Sequence, residues 1–266
     1  MKKGVILIVL FTFFTLSTPN IINAQQGVIT LGYEDKDSFP YYLGNSKLPL
    51  KNKPGASVEV MQLAAEKLGL KVRWKRMPWK RCLYALERNQ IDGTFNASYK
   101  PEREKAGVYP KTKNGNIDES HRLVTVHYAF YKMKHSNINW DGSSLTGLTG
   151  KIGVVLGYSV EKDLKKKGLP VDTAPNTLAN IKKLLLGRVN LIAGSRSQIK
   201  SFLGKDKKKF ENIVEIETPL KVKSSYLILS HDLFNNNRAL SLKIWDAIHE
   251  IRESKAYDAI FEKYYH

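Results

Sequence analysis

A chain of 266 residues has room for one or two domains, each with its own core. Its 42% hydrophobic and 26% charged residues are ordinary for a folded protein and exclude collagenous, low-complexity and disordered chains. The formal net charge is +18; the first 24 residues hold two lysines and no acid, so the remainder still carries +16. A single cysteine, Cys82, excludes an intramolecular disulfide and a thiolate metal cluster.

In chain order, Lys2 and Lys3 precede an apolar run from Val5 to Leu16, which ends at the polar, Pro-containing stretch Ser17 to Asn20. That is the layout of a secretory signal. The run is too short to span a hydrocarbon core that needs ~20 residues, so residues 1–24 are read as a signal peptide, not a membrane helix. Cleavage is expected after Ala24, although Ile22 is larger than the small residue usually found three positions back. No cysteine near that boundary could carry a lipid anchor, so the mature protein is expected to be free in the periplasm.

Val28 to Gly32 is a short β-branched run. After a loop with Pro40 and Pro54, the segment Ser57 to Gly69 places Val60, Ala64 and Leu68 four residues apart, with Met61 alongside. That spacing predicts an amphipathic helix, capped by Ser57 and ended by Gly69. Lys71 to Arg76 alternates as a strand, Pro78 to Arg88 predicts a helix with Leu83 and Leu86 inward, and Ile91 to Phe95 a third strand. Alternation of strands and helices implies a mostly parallel α/β layer.

A second run of the same kind follows Val124 to Phe130, whose even positions are apolar. Lys151 to Leu156 predicts a strand, Val160 to Lys167 and Asn176 to Leu186 helices, and Val189 to Ala193 a strand. Ser225 to Leu229 is a last strand. The helices after it, one striped by Leu240, Ile244, Ile248 and Ile251 and one over Ala256 to Tyr265, have no new strand to cover. They are expected to pack back on one of the two units.

Several local sequences recur in this order: Phe39-Pro40, Gly55 to Glu59, Trp79 to Leu86, Gln90 to Gly93, Lys100 to Arg103, Leu148 to Val154, Leu186 to Asn190 and Ala256 to Tyr265. Together they resemble the bacterial extracellular solute-binding protein family 3, the periplasmic receptors for polar amino acids and similar small solutes. The resemblance implies a type II periplasmic binding protein fold, in which two α/β lobes joined by two crossover strands close over a ligand. Lobe 1 is expected over residues 25–125 plus 225–266 and lobe 2 over 126–224. It further implies a monomer that delivers a small polar solute to the membrane permease of an ABC importer, with no cofactor and no nucleic acid.

By the same resemblance, Arg103 holds a ligand carboxylate, a task suited to the planar fork of a guanidinium. Ser98, five residues earlier, is a ligand-contacting hydroxyl, and Asn96 and Ala97 supply amide, backbone or packing contacts. Trp79 falls where the family lays an aromatic ring over the ligand, or it fills the core. Glu34 stands where receptors for basic amino acids carry an acid, or it belongs to a solvated turn with Asp35 and Asp37. Tyr158 and Ser159 match positions offering a hydroxyl and N–H groups at a helix N-terminus. Where amino-acid receptors usually place an Asp for the ligand ammonium, this chain has Ser195. A hydroxyl cannot replace a carboxylate opposite a buried ammonium, so an anionic, carboxylate-bearing ligand is expected.

The six histidines show no metal-ligand spacing, and neither GxGxxG nor GxxxxGK[ST] is present. The lysine clusters at 162–167 and 205–209 lack interleaved aromatics and are read as solvated faces. The chain is therefore not expected to be an enzyme. Two other readings stay open: a periplasmic enzyme on the same fold, similar to cyclohexadienyl dehydratase, with Glu34 as its acid or base, and a sensing module for a membrane signalling partner.

Overall fold

A computed structural model describes residues 27–265. The signal segment and its cleavage site lie outside the described residues. The first unit comprises β1 (Val28–Glu34), α1 (Ala56–Lys67), β2 (Lys71–Met77), α2 (Trp79–Glu87) and β3 (Gly93–Ser98). A long strand, β4 (Val124–Met133), leads to the small hairpin β5 (Asn139–Trp140) and β6 (Leu145–Thr146). The second unit follows as β7 (Ile152–Val155), α3 (Ser159–Lys166), β8 (Val171–Ala174), α4 (Thr177–Leu185), β9 (Leu191–Ser195), α5 (Arg196–Gly204), α6 (Lys207–Phe210) and β10 (Ile213–Glu215). The chain returns along β11 (Lys221–Leu229) and ends in α7 (His231–Asn236), α8 (Arg238–Arg252) and α9 (Lys255–Tyr265).

The main sheet runs in the order β2-β1-β3-β11-β4-β9-β7-β8, with β10 on the side of β4. Pairings at its two ends are parallel, as strand–helix–strand units require. Those in the middle are antiparallel, because β4 and β11 cross between the ends in opposite directions. The two ends belong to two lobes, whose buried side chains run on into one cluster along the shared strands. Leu31, Tyr33, Phe95 and Met61 lie wholly inside the first, and Ile152, Ile181 and Leu191 inside the second.

Local chemistry explains where the elements stop. α1 keeps the predicted stripe, with Val60, Met61 and Ala64 buried, each large side chain contributing ~1.5–3 kcal/mol. Its start corrects the sequence reading: Gly55 is the N-cap, while Ser57 lies inside the first turn, fully buried, and its Oγ donates to Asn96 Oδ1 at 3.0 Å. β11 begins four residues before the predicted Ser225, since the polar run Lys221 to Ser224 pairs with β4. The short strand β8, of sequence VDTA, had no hydrophobic signal to reveal it. α8 buries Ile244, Ile248 and Ile251, and Trp245 Nε1 donates to Leu227 O at 3.0 Å; both C-terminal helices pack on the first lobe beside α1.

Gly55 fixes how the loop after β1 meets α1. Its φ of 122° suits glycine, and a Cβ there would stand 2.2 Å from Tyr42 Cα and 2.5 Å from Tyr41 O. Its N–H donates to Tyr264 Oη at 2.8 Å, tying the loop to α9. Gly55→Ala is therefore expected to destabilise the fold by more than ~1 kcal/mol, read as a fall in the denaturation midpoint. An unchanged midpoint would show that the loop yields without cost.

Candidate functional site

Between the lobes lies a cavity of about 50 Å³, lined by Tyr41, Tyr42, Trp79, Asn96, Ser98, Arg103, Val126, Tyr128, Tyr158, Ser159, Ser195 and Gln198, with Ser38 and Ser225. β3 and the turn after it present Asn96, Ser98 and Arg103. The crossing strands present Val126, Tyr128 and Ser225, and the N-termini of α3 and α5 present Ser159 and Ser195. Among the described residues Arg103 is the only charged one in this wall.

Arg103 is buried and held on both lobes. Nη1 donates to Ser98 O at 2.8 Å and to Ser98 Oγ at 3.1 Å, and Nη2 donates to Gly157 O at 3.2 Å across the cleft. A guanidinium has five N–H donors. Three of these are used, and Nε–H makes no bond to protein among the described residues. The guanidinium carbon lies 5.3 Å from the centre of the Trp79 ring, so the cation on that indole is Arg103 itself.

The remaining residues singled out by sequence divide into two groups. Asn96, Ser98, Trp79, Tyr158, Ser159 and Ser195 reach the cavity. Asn96 adopts the left-handed backbone at φ 58°, which Asn tolerates better than most residues; its Nδ2 is buried without a protein partner among the described residues. Ala97 does not reach the cavity; its side chain is wholly in the core, among Trp79, Tyr109 and Tyr226. Glu34 is also outside the wall, 4% exposed, and its Oε2 accepts from Tyr158 Oη at 2.6 Å and Tyr42 Oη at 3.1 Å. Burial holds its carboxyl above the usual glutamate range, against those two bonds.

Sequence reasoning missed Tyr41, Tyr42, Tyr128 and Gln198 in the wall, and Lys223 behind it. Strand alternation could have found two of them. On β4, Val126 and Tyr128 turn inward while Thr125 and His127 are exposed. On β11, Lys223 is buried and Val222 half exposed, the reverse of hydropathy. Lys223 Nζ donates to Ser159 Oγ at 2.8 Å and lies 5.6 Å from the centre of the Tyr128 ring. At the start of α3, Glu161 turns its carboxylate back onto Gly157 N–H at 2.7 Å, so the first turn partly satisfies itself. Among the described residues no group of His, Cys, Asp and Glu is placed to hold a metal ion, and no helix is long and apolar enough to cross a membrane.

A two-lobed sheet crossed by two strands, with polar groups converging between the lobes, is the architecture of a ligand-capturing receptor. Residues 35–266 match the bacterial extracellular solute-binding proteins, family 3, and the chain belongs to that family. It is similar to the probable amino-acid-binding protein YxeM of Bacillus subtilis (strain 168), at 24% identity covering 100% of this chain and 96% of the relative. An ancestral arginine-binding protein bound to arginine shares its fold, with a TM-score of 0.68 and 22% identity over 90% of this chain and 99% of the other. So does the substrate binding protein of an amino acid ABC transporter, with a TM-score of 0.67 and 19% identity over 90% and 99%. The fold is that of type II periplasmic binding proteins.

Asp163 of α3 makes a largely buried ion pair between the lobes. It accepts from Lys100, in the turn after β3, and from Lys223 on β11, both pairs largely buried. Tyr158 to Glu34 and Gln198 Nε2 to Asp37 O, at 3.0 Å, add to this. The exposed Lys162–Glu102 pair at 2.6 Å adds little. Burial opposes ionisation of Asp163, but the bonds from Lys100 and Lys223 outweigh it and hold the carboxyl below the usual aspartate range. Its stabilisation is therefore complete above the ordinary aspartate pKa and fades as pH falls through the lowered folded value. Lys223 is pulled down to about 8 by burial, against the attraction of Asp163. Between about 8 and its ordinary 10.5 the folded state binds fewer protons than the unfolded, so the cost of burying this lysine is relieved as pH rises through that window. Asp163→Asn removes the charge both lysines share, and small-angle scattering is expected to show a larger radius of gyration at pH 7. An unchanged radius would show that other contacts hold the lobes.

Proposed function

We propose that the chain captures a small polar, carboxylate-bearing solute between its two lobes in the periplasm, and hands it to the membrane permease of an ABC importer. Residues 25–125 with 225–266 form the first lobe and 126–224 the second, and the protein acts as a monomer. The carrying observation is the charge of the cavity wall: among the described residues Arg103 is its one charged side chain, and its guanidinium keeps N–H donors unused by the protein, of the kind a carboxylate takes. Ser98, Asn96 Nδ2 and Ser195 offer neutral donors around it.

The family and its relatives support an amino-acid-like solute: the three similar proteins are amino-acid-binding or amino acid transport proteins. Import rests on the relative named as part of an ABC transporter. Glu34, the acid an enzyme on this fold would need, sits behind Tyr42 and Tyr158 instead of in the wall, which favours capture over chemistry. A micromolar dissociation constant corresponds to ~8 kcal/mol, within reach of a bidentate ion pair and a few neutral hydrogen bonds in a dry cleft.

Two experiments test this reading. In a thermal-shift screen, carboxylates without an amine are expected to raise the melting temperature, whereas arginine, lysine and ornithine are not. The opposite pattern would assign ammonium recognition to Glu34. Arg103→Ala is expected to abolish binding, at a cost of ~2–5 kcal/mol of affinity, and Arg103→Lys to weaken it, because the ammonium keeps the charge but not the fork. Calorimetry showing either variant within threefold of the wild type would remove Arg103 as the anchor.

A further inference from the structure

Strand β4 separates two cavities. Val126 and Tyr128 face the cleft, and the intervening Thr125 and His127 face a second groove of about 590 Å³ on the strand's other side. That volume is in the range of small-molecule sites, ~300–1,000 Å³. Tyr41 lies in the wall of both. The groove is bounded by α8 and α9 on the first lobe and by α5, with Lys200, on the second.

Its lining is mainly cationic, with Arg122, Arg196, Lys200 and Arg252 against the one carboxylate of Asp258, and it has a flat apolar wall. Arg122 Nη1 donates to Glu119 O at 2.8 Å and Arg252 Nη2 to Ser120 O at 2.9 Å, so one turn of chain holds two guanidinium groups beside each other. Arg122 has no carboxylate partner among the described residues. Arg252 pairs with Glu253, a half-exposed residue, while its own side chain is 9% exposed and its Nε is buried without a partner. Burial, and next the charge of Arg122, hold the Arg252 guanidinium below the usual arginine range. An anion between the two would relieve that repulsion and satisfy Nε. Beside them the rings of Tyr257 and Phe261 lie 4.5 Å apart, tilted by 36°, one turn apart on α9.

We propose that this groove is a second ligand site, for an aromatic carboxylate whose acid group sits between Arg122 and Arg252 and whose ring lies against Tyr257 and Phe261. Because its walls come from both lobes, such a ligand has different affinities for different lobe arrangements and couples to the cleft.

The test is calorimetric titration of the mature chain with 1-naphthoate, with 1-naphthalenemethanol carrying the ring without the charge and acetate the charge without the ring. Naphthoate is expected to bind best. Arg122→Glu is expected to weaken it roughly tenfold or more, since a charge-assisted bond becomes a repulsion. Thr125→Trp, at an exposed strand position, fills the groove without removing a partner and is expected to block the probe. Arg103→Ala separates the two sites: naphthoate binding that survives it supports the groove. Binding lost in Arg103→Ala but kept in Arg122→Glu places the probe in the cleft and overturns the proposal. So do no binding at millimolar naphthoate, equal affinity for the alcohol, or unchanged binding in Thr125→Trp.

Discussion

Tyr128 is the residue at which β4 changes partners: it is in register with Lys221 on β11 and with Ser195 on β9. The rest of the molecule depends on that exchange. A strand shared by two half-sheets joins the lobes through a continuous backbone ladder, and their buried side chains run on into one cluster, from Leu31 and Phe95 to Ile152 and Leu191. The same point in the ladder brings Ser195, Tyr128 and Lys223 to the inner face of the crossing. The cavity between the lobes thus sits where the sheet is antiparallel and polar side chains gather.

The polar groups there are costly to bury and are mostly compensated. Glu34 is met by two tyrosine hydroxyls, Asp163 by two lysines, and Arg103 by two carbonyls and a hydroxyl. The Glu34–Tyr158, Asp163–Lys100 and Arg103–Gly157 contacts join segments far apart in sequence, so the fold's net stability is traded for a defined contact between the lobes. The incompletely satisfied donors, the Nε–H of Arg103 and the Asn96 amide, belong to the first lobe. A ligand would therefore meet its strongest contacts on that side before the second lobe completes the enclosure.

Much of the fold was legible in sequence, because the first unit carries its signals locally. The stripe of Val60, Met61 and Ala64 shows on α1, and strand–helix alternation gives the parallel ends of the sheet. The C-terminal helices were also readable, from a stripe with no strand to cover. What stayed hidden was set by tertiary context. Lys223 looks like a surface lysine until β11 is seen to bury it and expose Val222. Ser57 looks like a cap until Gly55 takes the turn and the serine points at Asn96. Trp79 was read as either core or ligand shelf, and the structure gives it part of each role, since it is 7% exposed and also reaches the cavity.

The sharing of Asp163 by Lys100 and Lys223 has a kinetic side. The carboxylate rides on α3 of the second lobe, while Lys100 stands on the first and Lys223 on the strand between them. Parting the lobes would carry the negative charge away from Lys100 and leave that ammonium facing water on the same side as Arg103. The mouth of a separated cleft is thus more positive than that of a joined one, which raises the encounter rate of anions in dilute salt. On closure Asp163 cancels that field, so added electrolyte would slow the entry of an anion far more than it would speed its escape.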